Sequence, residues 1–438
     1  MPPSNQPNII IMLTDDQGYQ DVGCYGARGF DTPHLDRMAA GGMRFTDFYV
    51  GAPTCTPSRA SLLTGCYPQR VGLPTVLAPW DTIGLSTEEP TLASLLKQSG
   101  YATACFGKWH LGCQPQFMPN KHGFDEYFGL PYSNDQWPFH PRPERAKLMP
   151  PLPLMDNDTV LEHNPDQTQL TTWYTEHSVD FIERHQEQPF FLYVPHSMPH
   201  VPLHVSDKFK GKSDRGLYGD VMMEIDWSMG EILSTLDRLD MVENTLVVFL
   251  SDNGPWLEYG DHAGCALPLR EGKWTTFDGG QRVPCIMQWQ GNIPAGQVCG
   301  EIATAMDILP TFCKLAGIEL PERPVDGKDI LPLLCGKPNA ESPHEAFYYY
   351  AGDALEAVRC GQWKLHLPHS YRHHPTCPTG GQPGEVVEKH IELSLFDIER
   401  DIGETENLAA DQPELVERMR GMAEQFDAYV QETRRRDI

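Results

Sequence analysis

The chain has 438 residues, of which 60 are acidic and 34 are basic, and its formal net charge at pH 7 is −26. This length predicts about two or three domains, or one large domain with a small one, and the 40% of hydrophobic residues suffices for a sizeable core. The negative charge argues against a nucleic-acid or anionic-membrane partner, so an anionic ligand must be held by a local group of cations.

Short apolar strands alternate with amphipathic helices through most of the chain. Thr32 and Pro33 carry the start signal of a helix, a capping hydroxyl followed by proline in the first turn. Strands are predicted at 8–13, 101–106, 190–194 and 245–250, and helices at 33–41, 92–99, 171–185 and 218–239. This alternation predicts an α/β fold with a large mixed, mostly parallel sheet sandwiched by helices.

The pattern changes near residue 341. Short antiparallel strands are predicted at 348–350, 356–360, 363–367 and 393–398, followed by a charged helix at 413–435. We therefore predict a larger domain at 1–340 and a smaller C-terminal α+β domain with a short antiparallel sheet at 341–438. The proline-rich segment 131–165 is predicted to be a long surface loop near the functional site.

Polar residues follow four of the predicted strands. In folds of this kind the sites lie beyond the carboxyl ends of the strands, so these side chains are expected to meet at one edge of the sheet. They are Asp15, Asp16, Lys108, His110, His196, His200, Asp252 and Asn253. The aspartates and Asn253 offer only oxygen atoms, which predicts a site for a hard cation, calcium or magnesium, over zinc or copper.

Residues 55–59 read Cys-Thr-Pro-Ser-Arg, and Thr64-Gly65 follow. Residues 57–59 open a predicted helix, so backbone N–H groups would point toward an anion bound beside Cys55. Arg59 would add a guanidinium group suited to sulfate or phosphate oxygens. Most cysteines are inert, and here the surrounding pattern, rather than the thiol alone, indicates a catalytic position.

The pattern at 55–65 is that of the formylglycine sulfatases. Related motifs occur at 13–18, 107–112, 121–125, 131–133, 251–254, 272–280 and 396–408. Over nearly its whole length the chain resembles the type I formylglycine-dependent sulfatases of the alkaline phosphatase superfamily, in particular the arylsulfatase A and N-acetylgalactosamine-6-sulfatase branches.

This resemblance implies a sulfuric ester hydrolase in which a maturation enzyme oxidises Cys55 to formylglycine. The hydrated aldehyde would be the nucleophile and would join Asp15, Asp16, Asp252 and Asn253 around the metal ion. The remaining roles implied are sulfate binding by Arg59, Lys108 and Lys273, help in sulfate release by His110, acid catalysis by His200, and substrate contact by Ser133. His366, with the segment 350–355, is expected to reach the substrate pocket from the small domain.

Several alternatives stay open at this stage. The superfamily also hydrolyses phosphate and phosphonate monoesters, and an unmodified homologue could bind sulfated glycans without catalysis. The substrate could be an aryl sulfate or a sulfated sugar, and the acidic surface favours a small or terminal sulfated sugar over a long polyanion. The N-terminus shows no signal-type segment, which predicts a cytoplasmic protein, or a periplasmic or secreted one if a signal peptide was removed.

Overall fold

A computed structural model describes residues 6–435, so the reading of residues 1–5 lies outside the described residues. Its centre is a ten-stranded sheet. In spatial order the strands are Gln297–Cys299, Met43–Phe45, Cys285–Gln288, Thr245–Ser251, Asn8–Thr14, Phe190–Pro195, Ala102–Phe106, Glu126–Gly129, Pro153–Asp156 and Thr159–His163. The middle five are mutually parallel, while antiparallel strands flank them on both sides.

The first strand shows why the sheet is buried on both faces. Ile9, Ile11 and Leu13 pack into the core on one face of the sheet, with the helices Cys55–Thr64 and Ile308–Ala316. Ile10 and Met12 alternate with them and pack into the core on the opposite face. Because successive side chains of a strand point to opposite faces, a continuous apolar run is required where helices cover both. The predicted α/β architecture is confirmed.

Ten α-helices accompany the sheets in the described residues. They are Pro33–Gly41, Cys55–Thr64, Leu92–Gln98, Pro143–Ala146, Leu170–Arg184, Gly216–Arg238, Asp278–Gln281, Ile308–Ala316, Leu331–Leu334 and Pro413–Glu432. The helix predicted from Thr32 and Pro33 is present, but the Thr32 hydroxyl accepts a hydrogen bond from Gly23 N–H at 2.8 Å and does not cap the helix. Its start rests on the fixed backbone angle of Pro33 and on Asp226, whose Oδ1 accepts the His34 and Leu35 N–H groups at 3.0 and 2.8 Å.

The C-terminal part contains the expected antiparallel sheet. Its strands are Phe347–Ala351, Ala354–Cys360, Trp363–His366 and Ser394–Asp397, and the helix Pro413–Glu432 packs against it. A separate hairpin joins His369–His373 to Val387–Ile391. The division of the chain at residue 341 stays a prediction.

The segment 131–165 is only in part the long surface loop that was predicted. Its second half forms the strands Pro153–Asp156 and Thr159–His163, which extend the main sheet at one edge. Residues 131–136, around Ser133, are buried, whereas residues 141–151 are partly or fully exposed. Pro153 is the first residue of its strand, where a missing N–H does not weaken the sheet, and Pro143 opens the helix Pro143–Ala146. Within residues 6–435, no helix combines the length and apolar character needed to cross a bilayer.

Candidate active site

The carboxylates predicted at two strand ends meet in the structure. Asn8–Thr14 and Thr245–Ser251 are paired in parallel with Thr14 opposite Ser251, so the residues that follow them are neighbours. Asp16 N–H donates to Asp252 Oδ1 at 3.1 Å, and Asn253 Nδ2 donates to Asp16 Oδ1 at 2.7 Å. All of these side chains are buried, so the three carboxylates and the amide form one enclosed oxygen-rich group.

This group suits a hard cation. Ligand atoms of Asp15, Asp16, Cys55 and His200 all lie within 4.8 Å of one another. The Oδ1 atom of Asn253 is buried without a hydrogen-bond partner, and a buried carbonyl oxygen normally has one. Several carboxylate oxygens and one free amide oxygen are the ligands that calcium and magnesium prefer.

Cys55 begins the helix Cys55–Thr64 at the edge of the oxygen-rich group. Its Sγ lies 3.5 Å from Asp15 Oδ1 and 3.3 Å from Lys273 Nζ, and its side chain is 2% exposed. Burial raises the pKa of the Cys55 thiol far above its ordinary value, and the negative charge of Asp15 raises it further. The thiol is therefore held protonated, so it is a poor nucleophile in this form.

Three buried cations match the three carboxylates. Arg59 bridges two of them, with its Nε 2.9 Å from Asp252 Oδ2 and its Nη2 3.3 Å from Asp15 Oδ2. Lys108 forms an ion pair with Asp15, and Lys273 Nζ lies 2.6 Å from Asp16 Oδ1. Burial opposes ionisation of Asp15, but Lys108, His200 and Arg59 together hold the pKa of its carboxyl below the ordinary value.

The two candidate catalytic histidines have fixed orientations. His200 Nδ1 lies 2.6 Å from the Val201 carbonyl oxygen, and His110 Nε2 lies 3.0 Å from the Leu77 carbonyl oxygen. A carbonyl can only accept, so each of these nitrogens carries a proton. The other nitrogen of each ring then serves the site: His200 Nε2 lies 3.5 Å from Asp16 Oδ2, and His110 Nδ1 is buried without a partner.

Strained backbone is concentrated at this site. Asp16, His110 and Trp274 adopt positive φ angles of 63°, 62° and 76°, which are uncommon for residues other than glycine. Because Lys108 and His110 are two residues apart, an extended segment would turn both side chains the same way, but the positive φ of His110 shows that residues 108–110 are not extended. Such conformations persist where the surrounding structure enforces them, and they cluster at functional sites.

A cavity of about 350 Å³ opens above the oxygen-rich group. Five predicted site residues line it, namely Cys55, His110, Ser133, His200 and Lys273. The Ser133 hydroxyl accepts a hydrogen bond from Lys108 Nζ at 3.3 Å. Sequence reasoning did not single out Asp135, Gln136, Trp80, Arg145, Trp256 and Trp274, which also line the cavity. The Pro131-Tyr132-Ser133 motif was the nearest signal to Asp135 and Gln136.

Three predicted positions lie elsewhere. His366 does not reach the cavity: its side chain is 0% exposed, and its Nε2 lies 2.7 Å from Glu404 Oε2 in the interior. The segment 350–355 does not line the cavity either, and the carbonyl of Gly352 accepts from Gln69 Nε2 instead. His196, expected near the site, is buried 3.3 Å from Ser228 Oγ. The Nε2 atom of each histidine has a partner in the interior, while the Nδ1 atom of each is buried without one.

A fold with its site at the carboxyl ends of parallel strands, three carboxylates and three cations defines a hydrolase of anionic esters. Residues 7–318 match the sulfatase family model, and residues 342–436 match the C-terminal region of aryl-sulfatase. Residues 272–365 also match the C-terminal part of N-sulphoglucosamine sulphohydrolase. The chain belongs to the sulfatase family.

Relatives of known identity agree with this assignment. Arylsulfatase A of Bos taurus is 39% identical, with 97% of this chain and 89% of that protein covered. N-acetylgalactosamine-6-sulfatase of Canis lupus familiaris is 40% identical, with coverages of 91% and 81%. The chain is therefore a sulfuric ester hydrolase.

Solved structures share the fold over the whole chain. The PsFucS1 sulfatase from Pseudoalteromonas sp. superposes with a TM-score of 0.87 at 28% identity, covering 98% of this chain and 91% of that one. Ps i-CgsB in complex with k-i-k-neocarrahexaose gives a TM-score of 0.80 at 31% identity, with coverages of 96% and 93%.

Proposed function

We propose that this sulfatase acts on a sulfated sugar through a formylglycine at position 55 and a calcium ion, with magnesium as the alternative. Asp15, Asp16, Asp252 and Asn253 would hold the ion. The observation that carries the proposal is the position of Cys55, which lies at a helix N-terminus within 3.5 Å of Asp15 and 3.3 Å of Lys273. A nucleophile at this point would be next to both the metal ligands and the cations that receive the sulfate group.

The environment of Cys55 favours oxidation of the side chain over thiol chemistry. A buried thiol with a raised pKa, facing the Asp15 carboxylate, is poorly suited to attack an anion. A hydrated aldehyde supplies a hydroxyl nucleophile and a second hydroxyl for sulfate release, while a divalent cation stabilises negative charge. Because Cys55 is 2% exposed, the maturation enzyme would have to reach residues 55–59 before the chain folds around them.

The charges of the site explain how an acidic protein can bind an anionic ester. Three carboxylates and three cations leave the group close to neutral, so a divalent cation makes it positive. This local field is what the net charge of −26 requires of a sulfate-binding site. Arg59 contributes mainly by holding Asp15 and Asp252 in place, since its nitrogens face those carboxylates.

The remaining residues take roles that fit their geometry. Lys108 and Lys273 would hold the sulfate oxygens as negative charge develops on them. His200 would act as an imidazolium: its Nδ1–H stays on Val201 and its Nε2–H goes to the leaving oxygen. Burial and Lys273 lower the pKa of this ring, and the carboxylates of Asp16, Asp15 and Asp135 oppose that shift. Burial, and to a smaller extent the charge of Lys108, lowers the pKa of the His110 ring, which keeps the ring neutral. Its Nδ1 atom then has a free lone pair and would accept a proton as sulfate leaves.

The cavity and the relatives favour a small sulfated sugar. A volume of about 350 Å³ suits one or two sugar rings and not a polymer enclosed along its length. Relatives include N-acetylgalactosamine-6-sulfatases, and the structure of Ps i-CgsB contains a neocarrahexaose. Aryl sulfates would serve as surrogate substrates.

We assign the catalytic part to residues 1–340 and the smaller domain to residues 341–438.

The test is to produce the protein together with an active formylglycine-generating enzyme and to determine the mass of the tryptic peptide ending at Arg59. We expect the mass that corresponds to conversion of the Cys55 CH2SH group to CHO, and we expect Cys55→Ala to abolish aryl sulfate hydrolysis. Cys377→Ala, at an exposed cysteine, is the matched control and should keep full activity.

An unmodified thiol in a fully active preparation would refute the formylglycine proposal. Measuring aryl phosphate beside aryl sulfate tests the phosphoesterase alternative, which predicts kcat/KM for the phosphate at least equal to that for the sulfate. Three buried cations would accept either anion, so this comparison rests on measured turnover and not on charge alone.

A further inference from the structure

The cavity above the site is lined by apolar and polar side chains together. Leu77, Trp80 and Trp274 are among the apolar ones, and Asp135 and Gln136 are among those with hydrogen-bonding groups. This mixture suits a ligand with an apolar face and polar edges. A sugar ring has this character, whereas a simple aryl group has no edge hydroxyls to offer Asp135 or Gln136.

Gln136 lines the cavity and carries a fixed acceptor without a partner. Its Nε2 donates to the Leu77 carbonyl at 3.0 Å, and this bond sets the orientation of the amide. Its Oε1 is buried without a hydrogen-bond partner. The residue is 8% exposed and lines the cavity. A buried acceptor of this kind is normally satisfied, so its partner is expected to come from a bound molecule.

Asp135 is a second acceptor that lines the cavity. The Nδ1 atom of His140 accepts the backbone N–H of Arg142 at 2.9 Å, so His140 Nε2 carries the ring proton. This nitrogen lies 3.6 Å from Asp135 Oδ2 and turns its N–H side toward the carboxylate. Burial opposes ionisation of Asp135, but His200 and His140 hold the pKa of its carboxyl below the ordinary value, so it accepts and does not donate.

We propose that Asp135 and Gln136 select the substrate by accepting hydrogen bonds from two donor groups on the sugar ring that carries the scissile sulfate. This inference rests on the proposed function. Because the Asp135 carboxylate and the Gln136 Oε1 atom can only accept, the groups they bind must be free hydroxyls or an amide N–H. A second sulfate or a carboxylate at the same positions would be repelled by Asp135. The substrate class is therefore a monosulfated neutral sugar with free donors beside the sulfate.

The experiment compares three sulfate esters: the best substrate among the galactose and N-acetylgalactosamine monosulfates, cyclohexylmethyl sulfate, and 4-nitrophenyl sulfate. Cyclohexylmethyl sulfate has an alkoxide leaving group like that of the sugar but no hydroxyl. For Asp135→Asn we expect kcat/KM on the sugar sulfate to fall about 10- to 100-fold, the range for a hydrogen bond to a charged group. For Gln136→Met we expect a fall of about fivefold.

Both variants should hydrolyse cyclohexylmethyl sulfate and 4-nitrophenyl sulfate within about threefold of the wild type. Asp180→Asn, at an exposed carboxylate of the helix Leu170–Arg184, is the matched control and should change no rate. A deoxy analogue that lacks the recognised hydroxyl should be hydrolysed equally by the wild type and Asp135→Asn.

Equal losses on the sugar sulfate and on cyclohexylmethyl sulfate would overturn the inference, because Asp135 would then act through His200 and not on the sugar. Unchanged rates on all three esters would overturn it as well. Absence of activity of the wild type on every sulfate ester would refute the proposed function instead, so the two failures are distinguishable. The Tm of each variant is measured as well. A variant whose Tm lies within a few degrees of that of the wild type is folded, so its loss of activity does not come from unfolding.

Discussion

A buried ion cluster ties the segment that carries Lys273 to the C-terminal sheet, and Glu404 is at its centre. Glu404 Oε1 accepts Asp278 N–H at 2.7 Å, and its Oε2 lies 3.1 Å from Lys364 Nζ and 2.7 Å from His366 Nε2. None of these ionic side chains is exposed. The cluster therefore connects a cation of the active site with residues about a hundred positions further along the chain.

Glu404→Gln keeps the size of the side chain but removes its charge. The amide oxygen can still accept Asp278 N–H, whereas the new NH2 group faces the donors of Lys364 and His366. Breaking a buried ion pair by neutralising one partner costs about 3–5 kcal/mol. Because Lys364 keeps Asp278 at 2.7 Å, we expect the lower end, about 3 kcal/mol of unfolding free energy.

Urea unfolding at pH 7 measures this loss from the shift of the midpoint, and kcat on 4-nitrophenyl sulfate reports on Lys273. We expect kcat to fall about tenfold, because a loosened segment misplaces the ammonium that lies 2.6 Å from Asp16. The matched control is Glu417→Gln, which breaks a surface pair with Arg420 and should cost less than about 1 kcal/mol. A Glu404→Gln protein as stable as the control would refute the reasoning, and a destabilised protein with normal kcat would limit the cluster to a structural role.

Three further predictions follow from the site and the core. His200→Gln should slow cyclohexylmethyl sulfate about 10²- to 10⁴-fold but 4-nitrophenyl sulfate much less, because nitrophenolate leaves without a proton; equal slowing would contradict acid catalysis. Removal of divalent ions with EDTA should abolish activity and lower Tm, and calcium should restore both. An ion at about 100 times its Kd adds about 2.7 kcal/mol to the unfolding free energy, so an unchanged Tm would exclude a bound ion. Burial lowers the pKa of His122 to about 4, so below pH 6.5 the unfolded chain binds a proton there that the folded chain does not. Stability from this residue is then lost as pH falls. In urea unfolding, the unfolding free energy of His122→Phe relative to the wild type should therefore rise by about 1.4 kcal/mol for each pH unit below 6.5, down to about pH 4. A difference that stays constant with pH would disprove this.

The sequence was sufficient for the elements and for most of the site because both depend on local patterns. An apolar run with alternating faces predicts a buried strand whatever its neighbours are, and the polar residues that follow such strands must gather at one edge of the sheet. The motif at 55–65 likewise belongs to one helix start. The strand-end signals place Asp15 beside Asp252 without knowledge of any distance, and the resemblance to the sulfatases adds Cys55 to them.

Contacts between remote parts of the chain were decided only by the tertiary structure. Asp252 lies 236 residues from Asp16, and which atoms meet there depends on how both strands pack. Packing also turned His366 toward Glu404 and away from the cavity, directed Arg59 toward two carboxylates, and brought Asp135 and Gln136 to the lining of the cavity. A side chain's type and its neighbours in sequence do not determine these outcomes, because burial leaves each polar atom to the partners that the fold brings within reach.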